Sequence, residues 1–261
     1  MLRAILAFIA IVCAVAAAPS YAQTPTSVYA AGSLRLAFDD IIALNAARTG
    51  ARFAPTYGPS GKLREEIEKG SVPAVFASAA PQHTEALVKA GKLRSSTTFT
   101  RNSLCLMVAP GVALRQEALI DMLLDPALRL GTSTPGADPA GDYTWALFRN
   151  IDKLRPGSYA TLDARAQKLT GAEVVREEKD SPYVRVFQEK RADLFITYCT
   201  GAVATANAVP GLTWARFGAD INVLGAYAIG VTDAGGRVAE DFVSLVMSPE
   251  GQAILERYGF K

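Results

Sequence analysis

A chain of 261 residues with 27 Lys and Arg against 25 Asp and Glu is close to electroneutral, which speaks against nucleic acid as a partner. Half of its residues are hydrophobic and a fifth are charged, so there is enough apolar material for one large core or two of modest size. One histidine, His83, and three cysteines are too few for a His-centred metal site or a disulfide framework, and a Ser-His-Asp triad would rest on His83 alone.

The first segment reads as an address. Arg3 precedes an almost wholly apolar stretch over residues 4–18, and Ser20-Tyr21-Ala22 fits a small-x-small cleavage signal ahead of Gln23. Pro19-Ser20 ends the run short of the ~20 apolar residues that span a bilayer. Residues 1–22 are therefore expected to be a cleaved signal peptide and the mature protein to be exported and soluble. Its loss takes Cys13 and leaves Cys105 and Cys199, which an oxidising compartment could pair but which, each in or beside an apolar strand-like run, are expected to be reduced, buried thiols.

Val28-Tyr29-Ala30-Ala31 has the pattern of a short strand, and Gly32-Ser33 turns into a helix from about Leu34 to Arg48, ended by Thr49-Gly50. Arg52 to Tyr57 is extended, Gly58-Pro59 breaks it, and Ser60-Gly61 opens a helix in which Leu63 and Ile67 take helical spacing. Val75 to Ala79 is a strand, and Pro81 starts a helix to Ala90-Gly91 with His83 in an exposed first turn. This alternation predicts βαβ units and a parallel sheet.

Ser103 to Pro110 is a longer apolar strand, after which the alternation repeats. Helix is expected over Leu119–Leu124, extended chain over Leu128–Thr132, and helices from Pro139 to about Phe148 and from Tyr159 to Leu169. Glu173-Val174-Val175 reads as a strand, Ser181-Pro182 opens a helix to Lys190, and Asp193 to Tyr198 is an apolar strand leading into an Ala-rich helix. A strand over Ile221–Thr232, broken by Gly225, and helices over Gly236–Met247 and Pro249–Tyr258 complete the chain. Two such units joined by long strands predict an α/β fold of two lobes, each a mostly parallel sheet flanked by helices, with a ligand cleft between them.

Two enzymatic readings of the Ser60 turn fail on spacing. Counting back from Gly61-Lys62, a P-loop would need Gly at Thr56 and a hydroxyl at Leu63. Gly58-Pro59-Ser60 begins like a nucleophile elbow, but Lys62 stands where its second Gly belongs. What recurs instead is the helix start, at Gly32-Ser33, Ser60-Gly61, Ala140-Gly141 and Tyr183-Val184. Such starts present unpaired N–H groups and a positive dipole end to an anion. Taken singly, Ser33 and Ser60 are better read as helix caps and Tyr198 as a buried strand-end phenol. Taken together, they make a cage of neutral donors that suits a small, fully ionised oxyanion and offers no acceptor to a protonated one. Lys62, Arg64 and Arg185 are expected on solvated faces or at the rim, where they steer more than they bind.

Ala30-Ala31-Gly32-Ser33-Leu34, the run Ser60 to Gly70 followed by Ala74 to Ala79, Arg101-Asn102-Ser103-Leu104, Asp138-Pro139-Ala140-Gly141-Asp142-Tyr143, Val184-Arg185, Tyr198, and Ser248 to Leu255 with Tyr258-Gly259-Phe260 together resemble the periplasmic molybdate-binding proteins. This sequence departs from their pattern at Gly32, at Pro59 and at Gly201. The resemblance implies a two-lobed type II periplasmic binding protein, not an enzyme and without a cofactor, that binds molybdate or tungstate and delivers it, as a monomer, to an inner-membrane ABC permease. It assigns the contacts to the side chains of Ser33, Ser60 and Tyr198 and the backbone N–H groups of Ala140 and Val184. It places lobe I at 23–102 and 215–261 and lobe II at 103–214. Sulfate, phosphate or a metal chelate as the ligand, or an exported serine hydrolase, are the alternatives that the residues leave open.

Overall fold

The computed structural model describes residues 24–174 and 181–261. The signal peptide assigned to residues 1–22, its junction with Gln23, and Val175 lie outside the described residues. In the first half, β1 (Thr26–Ala31) leads through a 3-10 turn at Gly32–Leu34 into α1 (Arg35–Thr49). There follow β2 (Phe53–Gly58), α2 (Ser60–Glu68), β3 (Val75–Ser78), α3 (Pro81–Lys89) and the 12-residue β4 (Thr97–Val108). The second unit runs α4 (Leu119–Leu124), β5 (Leu130–Ser133), α5 (Pro139–Leu154), α6 (Ser158–Arg165), β6 (Gln167–Thr170), α7 (Pro182–Gln188), β7 (Leu194–Tyr198) and α8 (Cys199–Ala208). The short β8 (Thr213–Arg216), β9 (Leu224–Val231), α9 (Gly236–Met247) and α10 (Pro249–Arg257) close the chain.

Local chemistry explains the boundaries that matter. Ala37, Phe38, Ile41 and Asn45 form the buried stripe of α1, and Gly50 stops that helix in the left-handed conformation at φ 70°. Pro59 is held extended and so delivers Ser60 as the first residue of α2. Asp138 caps α5 through its own side chain, with Pro139 at the first helical position.

The strands form one nine-stranded sheet, eight of them in the order β2-β1-β3-β9-β4-β7-β5-β6 and the ninth, β8, on β4. The outer pairs, β2-β1-β3 and β7-β5-β6, are parallel, whereas β4 and β9 run antiparallel to their neighbours. β4 is the shared strand. Thr97 to Ser103 pairs with β9, and Leu104 to Val108 pairs with β7 and β8. At this changeover the Asn222 side chain substitutes for a strand partner. Its Oδ1 accepts from the Leu104 N–H and its Nδ2 donates to the Leu104 carbonyl, each at 3.0 Å. That is why β9 begins at Leu224 rather than at Ile221.

Three other elements depart from the sequence reading. The helix expected to run to Leu169 stops at Arg165, because Gln167–Thr170 forms edge strand β6 against β5. Gly171, at φ 81°, ends β6, so Glu173 and Val174, expected in a strand, lie in irregular chain. β8 was not foreseen; its four residues are mostly exposed at an edge. His83 is buried rather than exposed, and neither ring nitrogen has a hydrogen-bond partner.

The cysteines are also corrected. Cys105 and Cys199 are not free thiols but form a disulfide across 4.8 Å between α-carbons. The pairing of Leu104 with Tyr198 and of Cys105 with Thr197 makes β4 and β7 neighbours. Cys199 lies one residue past the strand, at the start of α8, where the chain turns toward Cys105. The bridge therefore anchors the segment that carries Tyr198. Reduction, or a Cys105→Ser/Cys199→Ser double substitution, should lower unfolding free energy by about 2–4 kcal/mol. Denaturant titration with and without reductant checks this, and coincident curves would contradict it.

Burial also sets a pH dependence. Burial first, and the Arg64 guanidinium second, hold the His83 imidazole down to about 4, below its ordinary 6.5. The neutral ring is the folded form, so its stability contribution is complete above about pH 6.5 and is lost as pH falls toward 4, up to ~3 kcal/mol in all. Melting temperature followed over that range should fall less steeply for His83→Leu than for the wild type, and parallel profiles would contradict the assignment.

Candidate functional site

The carboxyl ends of the parallel strands face one another across the β4–β9 junction, where open α/β sheets bind ligands. A cavity of about 560 Å³ lies there. One wall comes from the ends of β1 and β2 with Ser33, Tyr57 and Ser60; the other comes from Asp138, Val184 and Tyr198. Four of the five expected contact residues thus line one cavity. The fifth, Ala140, is fully buried behind Asp138.

The hydroxyls are held by specific partners. Ser60 Oγ accepts from the Ala79 N–H at 3.0 Å, leaving its own proton to be donated. Tyr198 crosses the cleft and donates to the Ala79 carbonyl at 3.3 Å. Ser33 Oγ lies 2.8 Å from the Tyr227 hydroxyl, which is 3.5 Å from the Asn102 Nδ2. Burial drives the phenol pKa values of Tyr198, Tyr227 and Tyr183 well above the ordinary tyrosine value. All three therefore keep their protons throughout the neutral range and remain donors.

The two expected backbone donors are already engaged. Val184 N–H bonds the Ser181 carbonyl at 2.9 Å, within the first turn of α7. Ala140 N–H bonds Asp138 Oδ1 at 3.1 Å. A carboxylate oxygen thus occupies the donor that the resemblance assigns to an anion. Asp138 stands in the Asp-Pro-Ala-Gly motif, where the sequence reading saw a helix start and gave the side chain no role. Tyr227 was also missed; its only signal is a polar aromatic at a fully buried position of β9.

The two walls touch. Gly61 N–H donates to the Ala137 carbonyl at 2.9 Å, and a β-carbon at Gly61 would lie 2.5 Å from the Gly136 oxygen and 2.7 Å from the Ala137 oxygen. Gly58 packs less tightly, a β-carbon there lying 3.1 Å from the Val174 side chain. Lys62 stays out of the cavity and pairs with Glu65 at 3.1 Å, half-exposed, while Arg185 lines the cavity wall. His83 does not line the cavity and bonds no serine.

A closed cleft between two α/β lobes, lined by donors at strand ends, defines a binding protein for a small solute. The chain belongs to the bacterial extracellular solute-binding protein family, whose profile matches residues 26–261. That is a family of binding proteins and not of enzymes, so the hydrolase alternative falls away. The chain is 36% identical over 147 residues to the uncharacterized protein PM1146 of Pasteurella multocida (strain Pm70). That match covers 55% of this chain and 61% of the relative's length. It is 25% identical over 248 residues to the molybdate-binding protein ModA of Mycobacterium tuberculosis (strain ATCC 25618 / H37Rv), covering 94% of this chain and 87% of that one. The periplasmic molybdate-binding protein of Azotobacter vinelandii superposes with a TM-score of 0.70 at 20% identity, over 90% of this chain and 98% of that one. At that identity the likeness is one of fold.

The contact at Gly61 makes closure testable. Alanine is the better helix former, by roughly 1 kcal/mol inside a helix, so Gly61→Ala should leave the free protein as stable as the wild type while holding the walls apart. Small-angle scattering at saturating ligand should then give the variant the larger radius of gyration, and equal radii would contradict the assignment.

Proposed function

We propose that this protein is the periplasmic substrate-binding component of an ABC transporter and that it binds molybdate or tungstate through neutral hydrogen-bond donors. The observation that carries the reading is the convergence of Ser33, Ser60 and Tyr198 on one cavity at the carboxyl ends of two sets of parallel strands. Family membership and the molybdate-binding relatives support the class of ligand. The N–H groups of Ala140 and Val184 join the cage once the ligand displaces their present partners.

In this reading residues 1–22 direct export and are removed. Lobe I comprises 23–102 and 215–261 and lobe II 103–214, a division supported by the change of β4 partners between Ser103 and Leu104. The pairing of β8 with Cys105–Val108 supports shifting the return crossing of this division by two residues, to just after Arg216. The mature protein acts as a monomer, with the small oxyanion and the inner-membrane permease as its partners.

Calorimetric titration with a panel of molybdate, tungstate, sulfate and phosphate tests the reading. Molybdate and tungstate should bind most tightly. A hydrogen bond to a charged group is worth roughly 1.5–3 kcal/mol, so Ser60→Ala and Tyr198→Phe should each weaken binding about tenfold or somewhat more. Lys62→Ala should act chiefly on association rate and its salt dependence. Loss of binding in Lys62→Ala, with Ser60→Ala and Tyr198→Phe unaffected, would refute the neutral cage.

A further inference from the structure

Asp138 is a partly buried ionisable group for which a cage of neutral donors has no use. It sits between β5 and α5, lines the same cavity as Ser33, Ser60 and Tyr198, and holds the Ala140 N–H through Oδ1. Ser133 on β5, whose Oγ lies 2.9 Å from Thr170 Oγ1, acts on its side chain and favours the charged form. Gly171, at the end of β6, covers it so closely that a β-carbon there would lie 2.7 Å from the Asp138 β-carbon. The ionisable groups facing it are Asp142 from its own helix, Tyr183 from α7, Tyr198 from β7 and Tyr227 from β9. Among the described residues, the charge that acts on it is the like charge of Asp142, and Arg35, Lys168 and Arg191 line the same cavity. Lys168 is turned over the Trp145 ring at 5.6 Å.

A dianion entering this cavity meets a carboxylate enclosed in the same low-dielectric space. Both cannot stay charged at hydrogen-bonding distance, because like charges sharing a site force one of them to keep a proton. We propose that Asp138 makes oxyanion binding proton-linked, so that the closed cleft holds a tetrahedral anion together with one proton shared between the Asp138 carboxyl and an anion oxygen. This inference rests on the oxyanion reading above. A fully ionised dianion such as molybdate takes the proton from solvent, and the Asp138 O–H becomes a further donor to it. A monohydrogen anion such as hydrogen phosphate brings the proton with it, and the Asp138 carboxylate accepts. No covalent bond other than the transferred O–H changes in either case. Asp138 therefore determines specificity by setting what a dianion loses relative to a monohydrogen anion as pH rises.

Burial already pushes the Asp138 carboxyl up to about 6 in the free protein, against the lowering effect of the Ala140 N–H and Ser133. A bound dianion raises it further. Molybdate affinity should accordingly be level below about pH 6 and fall by up to about tenfold per pH unit above it, with up to one proton taken up per anion. The test is calorimetry of the full chain with molybdate at about pH 6.5 and about pH 8.5, each in two buffers of different ionisation heat, which counts protons directly. The wild type should take up close to one proton at the higher pH. Asp138→Asn keeps a good helix cap and supplies an amide donor. It should take up none and hold its affinity across the range. Wild-type binding that is equally tight at both pH values without proton uptake overturns the inference, whatever the variant does. If only phosphate binds, the molybdate reading fails alone: a loss of phosphate affinity in Asp138→Asn then supports the inference, and unchanged affinity overturns it. Binding of neither anion to either protein overturns both.

Discussion

The Gly61 N–H donates to the Ala137 carbonyl at 2.9 Å, and the bond exists because residue 61 has no side chain to keep the two backbones apart. It joins the N-terminus of α2, on one wall of the cleft, to the loop that leads into α5 on the other. The first N–H groups of a helix have no partner within it and must find one elsewhere. Here the partner of one lies across the cleft, so closing the walls also satisfies the helix. The same approach brings Tyr198 to the Ala79 carbonyl while Ser60 holds the Ala79 N–H. Ala79, one residue past β3, thus contacts both walls at once.

Closure also decides the electrostatics. Inside it, phenols are held protonated, hydroxyls are fixed by partners, and the carboxyl of Asp138 loses its hydration. Neutral donors serve an anion well in such a space. They carry no charge that must be desolvated, and their dipoles are already oriented when the ligand arrives. A buried carboxylate does the opposite unless a proton accompanies the ligand. The cavity therefore holds a cage for charge and, beside it, a group that titrates near neutrality. The disulfide from β4 to the start of α8 and the Asn222 clamp on Leu104 stiffen the strands on which that cage is mounted.

Much of this was legible in the sequence where a physical signal was local. Pro59 before Ser60-Gly61, Asp138 before Pro139, and Gly50 after α1 mark helix ends through backbone geometry, and they lie where the structure has them. The central strands β3 and β7 are wholly buried and read as continuous apolar runs. What failed was non-local. β6 and β8 are short edge strands whose extended form depends on a neighbour, not on their own pattern. The cysteine bridge required knowing that β4 and β7 are adjacent, which residues 94 apart do not announce. His83 follows a proline at a helix start and so looked solvated, yet tertiary packing covers it. Of the site, the hydroxyls were visible as helix starts and a strand end, whereas Asp138 was missed because the helix start was read from Pro139-Ala140-Gly141 and the side chain before it was given no role.

The most direct test is a crystal structure of the mature protein grown with tungstate, whose heavy atom marks its own position by anomalous scattering. A single strong peak is expected in the cavity between the two walls, with oxygens in hydrogen-bonding contact with Ser33, Ser60 and Tyr198 and one oxygen facing Asp138. A peak outside that cavity, or an occupied cleft whose anion is held by Arg or Lys side chains instead of these hydroxyls, would contradict it.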